Sequence, residues 1–213
     1  GTELDSETLN KWNNSRNPLD KTFENIISEN SLRNLCIDRQ HNQQYNHLFS
    51  HKVEPRLPIT NQKSSGRCWI FAALNVARRE MINKYDVKDF EFSQNYLFFW
   101  DKLERINYNL NRIIETKDQE IESEIVRHIL GDPLCDGGQW DMFVNLVEKY
   151  GLVPKSSYKE SFHSSRSAEM NNILQKLFRK SAYDLRLSSN PYEDKKKVMH
   201  QVYKLLCKFL GTP

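Results

Sequence analysis

Two side chains six residues apart, Gln62 and Cys68, are the pair in this chain whose types and spacing best suit nucleophilic chemistry. A cysteine thiolate can attack an acyl carbon, and an amide N–H can hold the oxyanion that results. Both lie in PITNQKSSGRCWIFAALNVARREMINKY, Pro58 to Tyr85, where a polar turn runs directly into an apolar stretch. From Trp69 to Tyr85 there is no Gly or Pro, and Ile70, Phe71, Leu74, Ala77, Met81 and Tyr85 recur at helical spacing. With Trp69, Ala72 and Ala73 completing an apolar first turn, the pattern predicts a helix whose first half is buried. Cys68 then falls in its first turn, where unpaired backbone N–H groups and the positive end of the dipole favour thiolate over thiol. The Gln62 amide and the Cys68 backbone N–H are the expected oxyanion donors. Gly66, apart from Gly1 the only glycine in the first 130 residues, predicts a backbone that needs positive φ or close approach.

The elements that must position this turn are mostly helical. Residues 6 to 50 read as two or three short polar helices. Ser6 is the expected N-cap before Leu9 and Trp12, followed by Leu19, Phe23, Ile26 and Ile27, then Leu32, Leu35 and Ile37. This is a helical arm expected to pack on the body, and Gly1 with Thr2 reads as the remnant of a tag. Pro55 and Pro58 force an extended approach to Gln62. Ser93 should cap a long helix to about Glu115, with Tyr96, Trp100, Leu103, Ile106, Leu110 and Ile113 on one stripe against the Cys68 helix. The aromatic cluster Tyr96, Phe98, Phe99 and Trp100 reads as core or interface, and His128, beside Ile121, Ile125 and Ile129, as a core or edge histidine. Asp136-Gly137-Gly138 precedes a helix with Trp140, Phe143, Val144 and Val147 that ends at Tyr150 with Gly151 at C′. Two further helices, 165–186 and 191–209, are broken by Ser188 to Pro191, and the run Lys195, Lys196 and Lys197 reads as a solvated face.

Composition narrows the classes. The 213 residues are 38% hydrophobic, with 31 Lys and Arg against 28 Asp and Glu. A mean hydropathy of −0.74 suits helices with wide solvated faces, and a pI near 8.6 is too mild to argue for a nucleic-acid partner. Cys36, Cys68, Cys135 and Cys207 lack metal-site spacing, and no apolar run approaches a membrane span or signal segment. A reducing, cytoplasmic home without cofactor or metal is the expectation.

Gln62, Gly66, Cys68 and Trp69 together resemble the active-site turn and helix of papain-like cysteine peptidases. NQKSSGRCWIFAALN, EFSQNYLFFWDKLE at Glu91 to Glu104 and DGGQWDMFVNLVEKYG at Asp136 to Gly151 narrow the resemblance to the bleomycin hydrolase branch. It implies an α+β papain-like fold of which this segment is the mostly α part: a helical arm (1–57), a helical half with the nucleophile (58–160) and a helical insertion (161–213), with the β-barrel half absent. It also implies a cysteine aminopeptidase acting on peptides or amides with a free N-terminus, a homohexamer, and DNA binding in some members. Cys68 and Gln62 take the catalytic roles, while Gly66, Trp69, Asp136, Gly137 and Gly138 line the substrate cleft. Secreted papain-like enzymes pair a cysteine three positions before the nucleophile with one before the Gly-Gly turn. Here those positions hold Ser65 and Cys135, so that bridge cannot form.

The base is not evident. Of His41, His47, His51, His128, His163 and His200, only His200 stands at a papain-like distance from Cys68, yet it lies in an amphipathic helical run with no Asn-Ser-Trp-Gly segment after it. The expectation is therefore the N-terminal part of such a peptidase, inactive alone. The alternative is a non-catalytic helical interaction module that keeps the turn.

Overall fold

The computed structural model describes residues 3–45, 48–52, 54 and 56–213; Gly1, Thr2, His47 and Pro55, which figured in the sequence reading, lie outside them. The chain divides into two compact units, Gly1–Glu54 and Pro55–Pro213.

The first unit holds α1 (Ser6–Asn14), α2 (Pro18–Glu29), α3 (Leu32–Leu35) and α4 (Arg39–Gln44), one more helix than the two or three expected. The N-cap of α1 is Asp5, not Ser6: its carboxylate accepts from Thr8 N–H at 2.7 Å, and a carboxylate is well placed at the positive end of a helix. Asn17 and Asp20 form a reciprocal capping box around Pro18 at the start of α2. None of these four helices buries a residue.

The second unit is built from α5 (Cys68–Tyr85), α6 (Gln94–Glu115), α7 (Glu124–Gly131), α8 (Trp140–Tyr150), α9 (Phe162–Ser165), α10 (Ala168–Leu187) and α11 (Pro191–Leu210). Among the described residues, extended pairing is limited to two isolated bridges, Ser64 with Arg166 and Phe92 with Pro154. The core is a single cluster. Ile70 and Leu74 of α5, Leu97, Phe98, Phe99, Ile106, Leu110 and Ile113 of α6, Leu174 and Phe178 of α10, and Val202 and Leu206 of α11 are all buried in it. Thus α6 is the central helix, packed by α5, α8, α10 and α11. The expected stripe is not given over to the Cys68 helix: the Tyr96 hydroxyl donates to Tyr150 O at 2.9 Å and the Trp100 ring stacks on the Tyr150 ring at 4.0 Å, so these two residues meet α8, because a helix surrounded by four others shares its apolar positions among them.

Local chemistry sets the helix ends. Ser93 Oγ accepts from Tyr96 N–H at 3.1 Å and donates to Tyr158 O at 2.6 Å, so one hydroxyl caps α6 and pins the segment after α8. Gly151, at φ 74°, ends α8 by donating to Val147 O at 2.8 Å. On α7 the buried residues are Val126 and Ile129; Ile121 and Ile125 are exposed, and so is His128, an edge and not a core histidine. Trp140 is likewise exposed, and α8 packs through Phe143 and Leu146. In both helices a short amphipathic window admits two stripes, and the neighbouring helix selects one.

Candidate active site

Cys68 is the first residue of α5 and is exposed. The helix begins with the Phe71 N–H to Arg67 O bond at 2.9 Å, leaving the N–H groups of Cys68, Trp69 and Ile70 without partners inside the helix. The approach to this turn lies back along α5: buried Arg78 donates to Pro58 O, and Asn75 Nδ2 donates to Thr60 Oγ1 at 2.8 Å. The positive φ in the turn falls at Lys63 (56°), not at Gly66. Gly66 is required instead by close approach. A Cβ there would sit 1.9 Å from Asp136 Cβ and 2.1 Å from its Cγ.

A second turn, Asp136 to Gly138, closes on the first. A Cβ on Gly138 would lie 2.3 Å from the Trp69 indole, whereas Gly137 has nothing within 4 Å. Gly66 against Asp136 and Gly138 against Trp69 therefore interlock the two glycine turns on either side of Cys68. The sequence-predicted residues Gly66, Trp69, Asp136 and Gly138 come together in this way, with Gly137 at the open edge.

Buried charge holds each turn. Lys102 of α6 is fully buried, and its ammonium donates to Leu134 O at 2.9 Å and Asp136 Oδ1 at 3.1 Å. One turn on, Arg105 donates through Nε to Asp101 Oδ1 at 2.8 Å, through Nη1 to Cys135 Sγ at 3.1 Å, and through Nη2 to Gly137 O. Its guanidinium also stands 5.8 Å from the Trp69 ring centroid, within cation–π range. Burial pushes the Asp101 carboxyl above the usual range, against the opposing pull of Arg105 and Lys102.

The Cys68 turn has its own buried cation. Arg67 is 0% exposed; it donates through Nε to Ser65 Oγ at 2.8 Å and through Nη1 to Glu160 Oε1 at 2.9 Å, and its Nη2 lies 2.9 Å from Glu160 Oε2. The same Nη2 reaches Gln62 O at 3.5 Å, and Ser65 Oγ donates to that oxygen at 2.6 Å. Burial alone would raise the Glu160 carboxyl, but the hydrogen bond and charge of Arg67 outweigh it and hold Glu160 below the usual carboxylate range. Among the described residues none hydrogen-bonds the Gln62 side-chain amide.

Arg67, Glu160, Lys102, Asp101 and Arg105 are site-supporting residues that the sequence reading missed. The available signal was the polarity of Asp101 and Lys102 immediately after the five aromatic or apolar residues Tyr96 to Trp100 of α6, where a buried charge must be paired. His200 lies on the exposed side of α11. All four cysteines are free thiols. Among the described residues no group of three His, Cys, Asp or Glu could hold a metal ion, and no helix is long and apolar enough to cross a membrane.

Known proteins resemble this chain over most or all of its length. The Peptidase C1-like family matches residues 3–213. Aminopeptidase C of Listeria monocytogenes is 40% identical, over 100% of this chain and 49% of its own length. Human bleomycin hydrolase is 39% identical over 89% of this chain and 44% of its own. The crystal structure of PepW from Lactobacillus rhamnosis superposes with a TM-score of 0.89 at 36% identity, covering 100% of this chain and 49% of that one. The chain thus spans about half the length of the relatives it matches, and the matched part is their N-terminal half. A match running from residue 3 to the last residue, with a solved relative of the same fold over the whole chain, places the chain in the peptidase C1-like family.

Proposed function

We propose that this chain carries the nucleophile of a cysteine aminopeptidase of the bleomycin hydrolase kind. The observation that supports it most is an exposed thiol at the start of an 18-residue helix, set between two interlocked glycine turns. In the reaction, the Cys68 thiolate attacks the carbonyl carbon of an N-terminal peptide or amide bond. The tetrahedral oxyanion is held by the Cys68 backbone N–H and the Gln62 side chain; the C–N bond then breaks, the amine leaves with a proton, and a thioester remains. Water hydrolyses the thioester and regenerates the thiol. Gly137 and Gly138, with Asp136, offer backbone to an extended substrate.

The proton carrier belongs, in this proposal, to a part of the protein beyond these 213 residues, because the chain's best-spaced histidine, His200, is exposed on α11. The assembled protein is a cytoplasmic homohexamer needing no cofactor, and its substrates carry a free N-terminus. The test is hydrolysis of aminoacyl-coumarin amides by the full-length protein. Cys68→Ala should abolish it, and Gln62→Ala should lower kcat by about 10²-fold to 10³-fold with little change in KM. Full turnover by Cys68→Ala would remove the nucleophile role from Cys68, and a wild-type protein without hydrolysis would leave the non-catalytic helical module as the better reading.

A further inference from the structure

We infer that Arg67 and Glu160 are positioning residues that set the Gln62–Cys68 turn for oxyanion stabilisation; the inference rests on the oxyanion role proposed above for Gln62. The buried guanidinium joins the turn to a distant segment. On one side it meets Ser65 Oγ and Gln62 O; on the other it pairs with both oxygens of Glu160, 93 residues away in sequence. Arg67 is also stacked near Phe71 at 5.0 Å and Phe98 at 5.4 Å from the ring centroids, so it has little room to swing.

Glu160 is itself held. Ser164 Oγ donates to Glu160 Oε2 at 2.7 Å, and the backbone beside it pairs with the turn: Ser64 N–H donates to Ser165 O at 3.0 Å and Ser167 N–H to Ser64 O at 3.3 Å. Just upstream, Ser93 Oγ donates to Tyr158 O at 2.6 Å and Asn95 Nδ2 to Lys159 O at 2.8 Å, so α6 fixes the segment that carries Glu160. A continuous path therefore runs from the central helix through Glu160 and Arg67 to the Gln62 carbonyl. Fixing that carbonyl fixes the peptide from which the Gln62 amide projects. Arginine suits the task because its planar fork satisfies a carboxylate and still presents a donor to the turn.

The test is a double-mutant comparison in the full-length protein, reading aminoacyl-coumarin hydrolysis. Glu160→Gln keeps the shape but removes the charge, and should lower kcat by about 10-fold to 100-fold with KM within about twofold, as misplacement of a stabilising group does. On a Gln62→Ala background the same substitution should cost less than about twofold, because the group it positions is gone. Should Glu160→Gln fail to fold, Ser65→Ala probes the same path with the ion pair intact and should show the same dependence on Gln62. An equal loss on both backgrounds would overturn the inference and make the pair merely structural. A wild-type protein without activity would instead defeat the peptidase reading itself, and an active one whose kcat ignores Glu160→Gln and Ser65→Ala would defeat only the positioning role.

Discussion

Adjacent glycines in the second turn should respond unequally to the addition of one methyl group, Gly138 with a clear loss of stability and Gly137 with little change. In Gly138→Ala the new Cβ would meet the Trp69 indole at 2.3 to 2.7 Å, against ordinary carbon contacts of about 3.5 to 4.0 Å. Taking about 3.4 Å as the least tolerable separation, the ring or the turn must give by about 1.1 Å (3.4 − 2.3). Trp69 cannot yield freely, because it follows Cys68 in the first turn of α5 and lies under Arg105, which also holds Gly137 O. Overpacking of this kind costs about 1–3 kcal/mol, and at about 2–4 °C per kcal/mol for a chain of this size Tm should fall by about 2–12 °C. Gly137→Ala meets nothing within 4 Å and needs no positive φ, so its cost should stay within about 0.5 kcal/mol. The assay is thermal unfolding of the 213-residue chain followed by circular dichroism, wild type beside the two variants. Equal losses at both positions, or the larger loss at Gly137, would refute the interlocked-turn geometry.

Other outcomes follow from the same contacts. Gly66→Ala, whose Cβ would fall 1.9 Å from Asp136 Cβ, should destabilise at least as much as Gly138→Ala in the same melt, because backbone and not a side-chain tip must move. Glu160 has its folded pKa lowered, so its contribution to stability is fully present above its ordinary value of 4.5 and is lost as pH falls through the folded value. Urea midpoints should therefore decline below about pH 4.5, and Glu160→Gln should flatten that decline. With limiting iodoacetamide and mass mapping, Cys68 should be alkylated before Cys36 and Cys135, with half-buried Cys207 last. The isolated 213-residue chain should show no hydrolysis of aminoacyl-coumarins, since a missing proton carrier adds several kcal/mol and each 1.36 kcal/mol is tenfold; cleavage abolished by His200→Ala would show that α11 supplies the base.

Local signals carried much of the fold. The uninterrupted apolar period after Cys68, the Ser93 cap, the Gly151 stop and the Ser188–Pro191 break predicted α5, α6, α8, α10 and α11 within a few residues, since each depends on neighbours in the chain. Capping at Asp5 was missed because Ser6 offers an equally good acceptor oxygen one position on. The two turns that meet at Cys68 were legible as glycine and aromatic types, but what supports them was not. Whether Arg67 or Lys102 is a solvated cation or a buried strut depends on Glu160 and Asp136, 93 and 34 residues away, and periodicity carries no information about such pairs. Gly66 shows the same limit: its rarity signalled constraint, and only the packed structure distinguishes close approach to Asp136 from a need for positive φ.

The claim that Cys68 is the nucleophile meets its most direct test in active-site titration of the full-length protein with an aminoacyl chloromethyl ketone, activity and peptide mass being read on the same samples. The account predicts that activity falls in proportion to label and reaches zero at one equivalent per chain, with the mass increment on the peptide that contains Cys68. Complete inactivation with the label elsewhere, or complete labelling of Cys68 with activity intact, would contradict it.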